Sequence, residues 1–194
     1  MDMATALAGL GVTEASLDPD TKDQLDRDGY APLPGVLSAG QLTAIRARLA
    51  ELLAAEGDQA GIEVHQEAGA DRLADLINKG PMFQPCVTHP RVLACIAHVL
   101  CDFKLSSLNF RAALPDPAAA HPDEVQLTAP PGTVVVFNSH LWHGGTLNRS
   151  DRPRRALHSC FTRRANGQQL DQKRYIRPET LARLNPAARF VLDV

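Results

Sequence analysis

Val134-Val135-Val136-Phe137-Asn138-Ser139-His140-Leu141-Trp142-His143-Gly144-Gly145-Thr146-Leu147-Asn148-Arg149-Ser150-Asp151-Arg152-Pro153-Arg154-Arg155 is the stretch that decides how this chain is read. Three valines and a phenylalanine in succession, flanked by turn residues, make a buried strand rather than a helix. The run stops at Asn138-Ser139 and is followed by two histidines, two glycines and then Arg154, eleven residues beyond His143. A neutral imidazole suits a transition metal and a guanidinium fork suits a carboxylate, so this strand mouth pairs a metal ligand with an anion anchor.

Strand signals extend on both sides. Residues 105–112, 124–128, 133–139 and Arg155–Arg163 read as strands, with Pro130-Pro131-Gly132 as the turn before the third. Upstream the pattern is helical. Residues 1–20 are Ala/Gly/Asp-rich and are expected to be loosely ordered. Residues 21–28 read as a short polar helix, Gly29 through Gly35 as an extended segment closed by a turn, and Ser38-Ala39-Gly40-Gln41 as a capping box. Leu42, Ile45, Leu49, Leu52 and Leu53 recur at helical spacing over 42–56, and Gly57 stops that helix. Further helices are expected over 71–78 and 90–100, the latter with Thr88 as its cap and Pro90 in its first turn. The last residues, 178–194, read as one or two short helices interrupted by Pro186.

The fold class is therefore α+β. A chain of 194 residues with 44% hydrophobic content is long enough for one well-buried domain. Its expected extent is 21–194, mainly helical over 21–103, strands over 104–164 and a helical tail over 165–194. The net charge of −2 argues against a general nucleic-acid binder. Within 149–177, however, nine Lys/Arg face only Asp151 and Asp171. That segment is either a receiver for an anionic small molecule or a solvated face around a sheet. Cys86, Cys95, Cys101 and Cys160 form no zinc-like spacing and read as reduced, mostly buried thiols. Asp2 stands where a signal peptide would carry Lys or Arg, and no apolar run approaches a membrane span. A cytoplasmic location without membrane contact is the expectation.

Two ordered blocks, Gly-Tyr-Ala-Pro-Leu-Pro-Gly-Val-Leu-Ser from Gly29 and G-T-V-V-V-F-x-S-x-L-W-H-G-G-x-x-N-x-S-x-x-P-R-R from Gly132, resemble the phytanoyl-CoA dioxygenase family of iron(II)- and 2-oxoglutarate-dependent oxygenases. The likeness runs over about 24–164 and is most specific in the second block. It implies N-terminal helices packed on a jelly-roll (double-stranded β-helix, cupin-like) core, Fe(II) held by two His and one carboxylate, 2-oxoglutarate as cosubstrate and a small organic molecule as substrate. By the same resemblance His143 is the distal iron-binding histidine and Arg154 the partner of the far carboxylate of 2-oxoglutarate. Gly145 falls where the family places a small hydroxylated residue, so Thr146 beside it supplies that hydroxyl, and Asn109 sits near the cosubstrate.

The family's H-x-D motif follows the strand equivalent to 105–112. Here the chain passes from Pro115 straight into Asp116-Pro117-Ala118-Ala119-Ala120-His121, as though roughly a third of a jelly roll had been skipped. His121-Pro122-Asp123 has the literal form of the motif and is the substitute pair for the metal, with His65-Gln66-Glu67 as the lesser alternative and solvent-exposed loops as the plain reading of both. A sheet missing partners would expose its edges and half an apolar face, including Val134, Val136 and Phe110, and would dimerise through them, take cover from helices or be marginally stable. Three functions stay open: an oxygenase of this family, a truncated and inactive remnant keeping an anion-binding cleft, and an interaction module whose basic segment meets an acidic partner.

Overall fold

Antiparallel pairing brings the two quoted blocks side by side. In the computed structural model, which describes residues 1–62, 72–108, 124–141, 143–144, 150–151 and 154–194 with the backbone of 109–112, Tyr30–Leu33 forms β1 and Val134–Phe137 forms β4. Their register is Tyr30 opposite Phe137, Ala31 opposite Val136, Pro32 opposite Val135 and Leu33 opposite Val134. A second sheet has the order β2-β3-β5, from Arg72–Leu73, Phe103–Ala112 and Arg155–Arg163. The β3/β5 ladder carries a bulge at Ser106, between Leu105 and Ser107. Gln168 and Gln169 secure it: Gln168 Nε2 donates to Leu105 O at 2.7 Å and Gln169 N donates to Ser106 Oγ at 2.8 Å.

Eight helices accompany these strands among the described residues: α1 Met3–Gly9, α2 Pro19–Asp28, α3 Ala39–Glu56, α4 Pro85–Thr88, α5 Pro90–Leu100, α6 Gln172–Tyr175, α7 Pro178–Arg183 and α8 Pro186–Leu192. The capping box at Ser38 and Gln41 forms as its sequence requires, and Gly57 caps the far end of α3. Ile45, Leu49 and Leu52 on α3 meet Leu93 of α5, Phe103, Leu105 and Leu108 of β3, and Val191 and Leu192 of α8 in the main core. A smaller core joins Leu25 of α2, Ala31 and Leu33 of β1, Val92 and Cys95 of α5 and Val136 of β4.

Several expectations are corrected here. Residues 1–20, expected to be loose, carry α1, whose N-cap Asp2 accepts from Thr5 N at 2.8 Å, and a 3₁₀ turn at Glu14–Ser16. Ala6 is buried and Met3, Leu7 and Leu10 pack on the main core, which orders the segment. The helix expected over 71–78 is instead β2 followed by a 3₁₀ turn at Leu76–Lys79, because Asp75 adopts a left-handed conformation (φ 53°) that ends any helical run. Thr88 does not cap α5: its hydroxyl donates to Gln84 O, and the N-cap position is His89. Residues 124–128 form no strand, and Val125 and Leu127 lie exposed. The strand expected over 133–139 is shortened to β4 because Asn138 opens a turn. The apolar face of β4 is not bare: Val136 is buried and Val134 half-buried under α2 and α5, while the side chain of Phe110 lies outside the described residues. Cys101 is exposed, whereas Cys95 is buried and Cys86 and Cys160 are half-buried.

The C-terminal helix is latched by charge. Asp193, the left-handed cap of α8, accepts from Lys104 Nζ at 3.1 Å and lies 3.3 Å from Lys173 Nζ and 3.4 Å from Arg164 Nη1. Burial alone would push its carboxyl up, but the hydrogen bonds from Lys104 and Lys173 outweigh it and hold the group below the usual carboxylate range. A depressed folded-state value stabilises the protein above the unfolded-state value near pH 4, and that contribution disappears as pH falls through the depressed value. Asp193→Asn keeps the left-handed backbone and removes the charge, so it should cost about 1 kcal/mol near neutrality. In urea melts at stepped pH the gap to the parent should hold from pH 8 to 6 and close below about pH 4. A gap that persists in acid would show that the ion pairs are not its source.

Candidate metal and anion site

The turn after β4 is built on Gly29. Leu141 N donates to Asn138 O at 3.0 Å, which closes the four-residue turn 138–141, and Asn138 N donates to Gly29 O at 2.9 Å. Gly29 ends α2 in the left-handed region (φ 76°), and a β-carbon there would stand 3.1 Å from Leu141 Cδ1. One glycine therefore stops a helix, starts β1 and admits the side chain that seats the turn.

His143 follows directly. Its Nδ1 lies 2.8 Å from Leu141 O. A carbonyl oxygen only accepts, so in the neutral ring Nδ1 carries the proton and Nε2 the lone pair, with no hydrogen-bond partner among the described residues. The ring packs edge-on to Phe137 with centroids 5.0 Å apart at 61°, and the residue is exposed. This is the form in which an imidazole ligates a metal through Nε2, its other nitrogen oriented by a backbone carbonyl.

Arg154 stands immediately before β5 and is exposed, with no hydrogen bond or ion pair among the described residues. Arg155, opposite Ala112, begins the β3/β5 ladder, and Asn109 pairs with His158 three steps further in. Asn109 and the arginines thus share one end of one ladder, while His143 sits at the end of the other. His121, Asp123, Thr146, Gly145, Asn148, His65 and Glu67 lie outside the described residues. Among the described residues no group of three or more His, Cys, Asp or Glu is gathered to hold a metal. Thiolate chemistry has no support nearby: burial pushes Cys86 and Cys95 up to about 11 and raises Cys160 as well.

Two features of this site escape sequence reading. The tautomer of His143 depends on where the Leu141 carbonyl points, and the seat on Gly29 joins residues far apart in the chain. Only the glycine itself was a signal, as the stop after a polar helix.

The geometry defines a mixed helix-and-strand protein with an imidazole at a strand mouth and an exposed guanidinium at the start of another strand. The sequence profile of Phytanoyl-CoA dioxygenase (PhyH) matches residues 25–119 and 106–156, and the chain belongs to this family. No curated protein matches it. Among solved structures it is similar to HygX from Streptomyces hygroscopicus with nickel and 2-oxoglutarate bound, at 20% identity and a TM-score of 0.41, over 51% of this chain and 36% of that one. It is also similar to SnoN, the non-heme alpha ketoglutarate dependent epimerase from nogalamycin biosynthesis, at 25% identity and 0.39, over 56% and 42%. The complex of SnoN with Fe3+, alpha ketoglutarate and nogalamycin RO gives 24% identity and 0.39, over 58% and 41%. The matched region spans well under two thirds of these structures. No helix among the described residues is long and apolar enough to cross a membrane.

Proposed function

We propose that this chain acts as an iron(II)/2-oxoglutarate-dependent oxygenase on a small organic substrate, with His143 as a metal ligand and Arg154 as the anchor for the cosubstrate. The observation that carries the reading is the 2.8 Å contact of His143 Nδ1 with Leu141 O, which in the neutral ring puts the lone pair on Nε2, without a partner among the described residues, at the mouth of β4. Family membership supplies the chemistry such a donor would serve, and HygX and SnoN are described with 2-oxoglutarate. When bound, the metal would supply the redox chemistry that couples decarboxylation of the cosubstrate to oxidation of a substrate C–H bond. The protein's own part is positional. Leu141 O holds the His143 ring in one tautomer, Phe137 limits its rotation, and Arg154 offers a planar fork to the distal carboxylate of a dianion. Asn109 and Thr146 belong to the cosubstrate's surroundings in this reading, and His121 and Asp123 to the remaining ligand positions. The helices and a shortened jelly roll would form one domain over 21–194.

The alternative reading is a remnant that grips an anion without iron. The shared step is cosubstrate binding. Arg154→Ala should weaken 2-oxoglutarate binding by about ten- to a hundredfold, the loss of a charged bidentate contact, whereas Arg155→Ala should leave it within about twofold. Calorimetric titration of both variants measures this, and equal small effects would remove Arg154 from the role. Succinate release after anaerobic iron loading then separates the readings: present in the oxygenase, absent in the remnant.

A further inference from the structure

Both ends of the turn that leads to His143 rest on one residue far earlier in the chain. At the start, Asn138 N donates to Gly29 O at 2.9 Å. At the end, Leu141 occupies the space where any other residue at 29 would carry a side chain: a β-carbon there would stand 3.1 Å from Leu141 Cδ1, 3.2 Å from Cδ2 and 3.3 Å from Cγ. Carbon atoms at optimal separation stand roughly 3.5–4.0 Å apart, so all three contacts would repel. Turning the end of the leucine moves its two methyl groups but not Cγ, so relief requires Leu141 itself to shift. Leu141 O is the atom that faces His143 Nδ1 at 2.8 Å. The ring's other contact has the same origin, because Phe137, edge-on to it at 5.0 Å, lies opposite Tyr30 in the ladder that starts next to Gly29.

We propose that Gly29 is a positioning residue for His143: the space left by its missing side chain fixes where Leu141 O stands, and through that oxygen the direction in which Nε2 of His143 faces. The proposal rests on the reading of His143 as a metal ligand and adds what orients it. A metal-bound imidazole depends on the partner of its other nitrogen, and here that partner's place is set from the junction of α2 and β1. Gly35 supplies the comparison. It lies beyond the other end of β1 with φ 68°, close to the 76° of Gly29, and a β-carbon there meets nothing within 4 Å. Alanine at either position strains the backbone alike, so only the contact with Leu141 separates the two.

The test compares Gly29→Ala, Gly29→Asn and Gly35→Ala in the full chain. Asparagine tolerates the left-handed region while still adding the β-carbon, so it serves should alanine at 29 not fold. In the metal-free protein the ring protons of His143 carry the ring-current shift of Phe137. Nuclear magnetic resonance should find that shift reduced in both Gly29 variants and kept in Gly35→Ala. Anaerobic calorimetric titration with Fe(II), at saturating 2-oxoglutarate, should show binding weakened by about tenfold or more in the Gly29 variants and within about twofold of the parent in Gly35→Ala. Leu141→Ala clears the contested space, so in that background Gly29→Asn should add no further loss. Unchanged His143 shifts and iron affinity in Gly29→Asn, or equal losses in Gly35→Ala, overturn the role of Gly29 and leave His143 as a ligand. Iron binding that survives in His143→Ala, or a parent that binds no iron, overturns the reading of His143 and this proposal with it.

Discussion

Gly132→Ala should lower the unfolding free energy by about 3 kcal/mol or more, one of the two largest effects expected of a single substitution in this protein. Gly132 has φ 92°, and a β-carbon would stand 2.4 Å from Leu37 O. That atom is backbone, and Leu37 N donates to Gly132 O at 3.1 Å, so the clash cannot be relieved without breaking the contact that joins the two segments. Gly29 offers the contrast. Its added β-carbon would meet the tip of the Leu141 side chain, which can give. Chemical denaturation should show a lowered midpoint for Gly132→Ala with the slope unchanged. A loss under about 1 kcal/mol would mean that the turn at Pro130–Thr133 yields more readily than this packing allows.

Arg183→Met should cost about 3 kcal/mol, or roughly 6–12 °C in melting temperature for a chain of this size. Its guanidinium, whose pKa burial lowers, donates to the carbonyls of Ile77 and Gly80 and to Thr180 Oγ1 at 2.8 Å. Methionine keeps most of the apolar stem, so the effect isolates the lost donor to the Ile77 carbonyl, Gly80 O keeping the Phe83 N–H at 3.3 Å. Around them Arg48 Nε donates to Lys79 O at 2.8 Å, and Asn78 binds the Asp75 carboxylate and Tyr175 O. This segment has little regular structure, so side chains satisfy backbone groups that a ladder would otherwise pair. Arg183→Lys should recover only part of the loss, since one ammonium lacks the second nitrogen that holds Thr180 Oγ1 while Nη2 reaches the two carbonyls. Full recovery by lysine would sink the argument.

How much was legible in the sequence follows from what each element depends on. The bounds of α5 and β5 agree with their local patterns because Pro90 opens one and alternating residues run the length of the other. Capping at Ser38 was readable for the same reason: its partners lie within four residues. The segment 71–78 misled because Leu73, Leu76 and Ile77 copy helical spacing, while the left-handed Asp75 that breaks it is buried with Asn78 Nδ2 on its carboxylate, a conformation that spacing does not reveal. Residues 124–128 misled because alternation at Val125 and Leu127 mimics a strand although nothing among the described residues pairs with it. At the site, His143 and Arg154 were visible from residue type and spacing. The orientation of the His143 ring was not, since it follows from the position of Leu141 O, set by the turn on Gly29.

The division into two ladders bears on how the protein breathes. Among the described residues β4 pairs with β1 alone, while the strand after Arg154 pairs with β3, so the two halves of the proposed site hang on separate hydrogen-bonded units. Local opening of the short β1/β4 unit needs no rupture of the nine-residue strand β5 from β3, and short units open at lower free energy than the whole molecule. A guest that touched both halves would be a fastener between independently fraying pieces, and part of its affinity would be consumed in holding them closed.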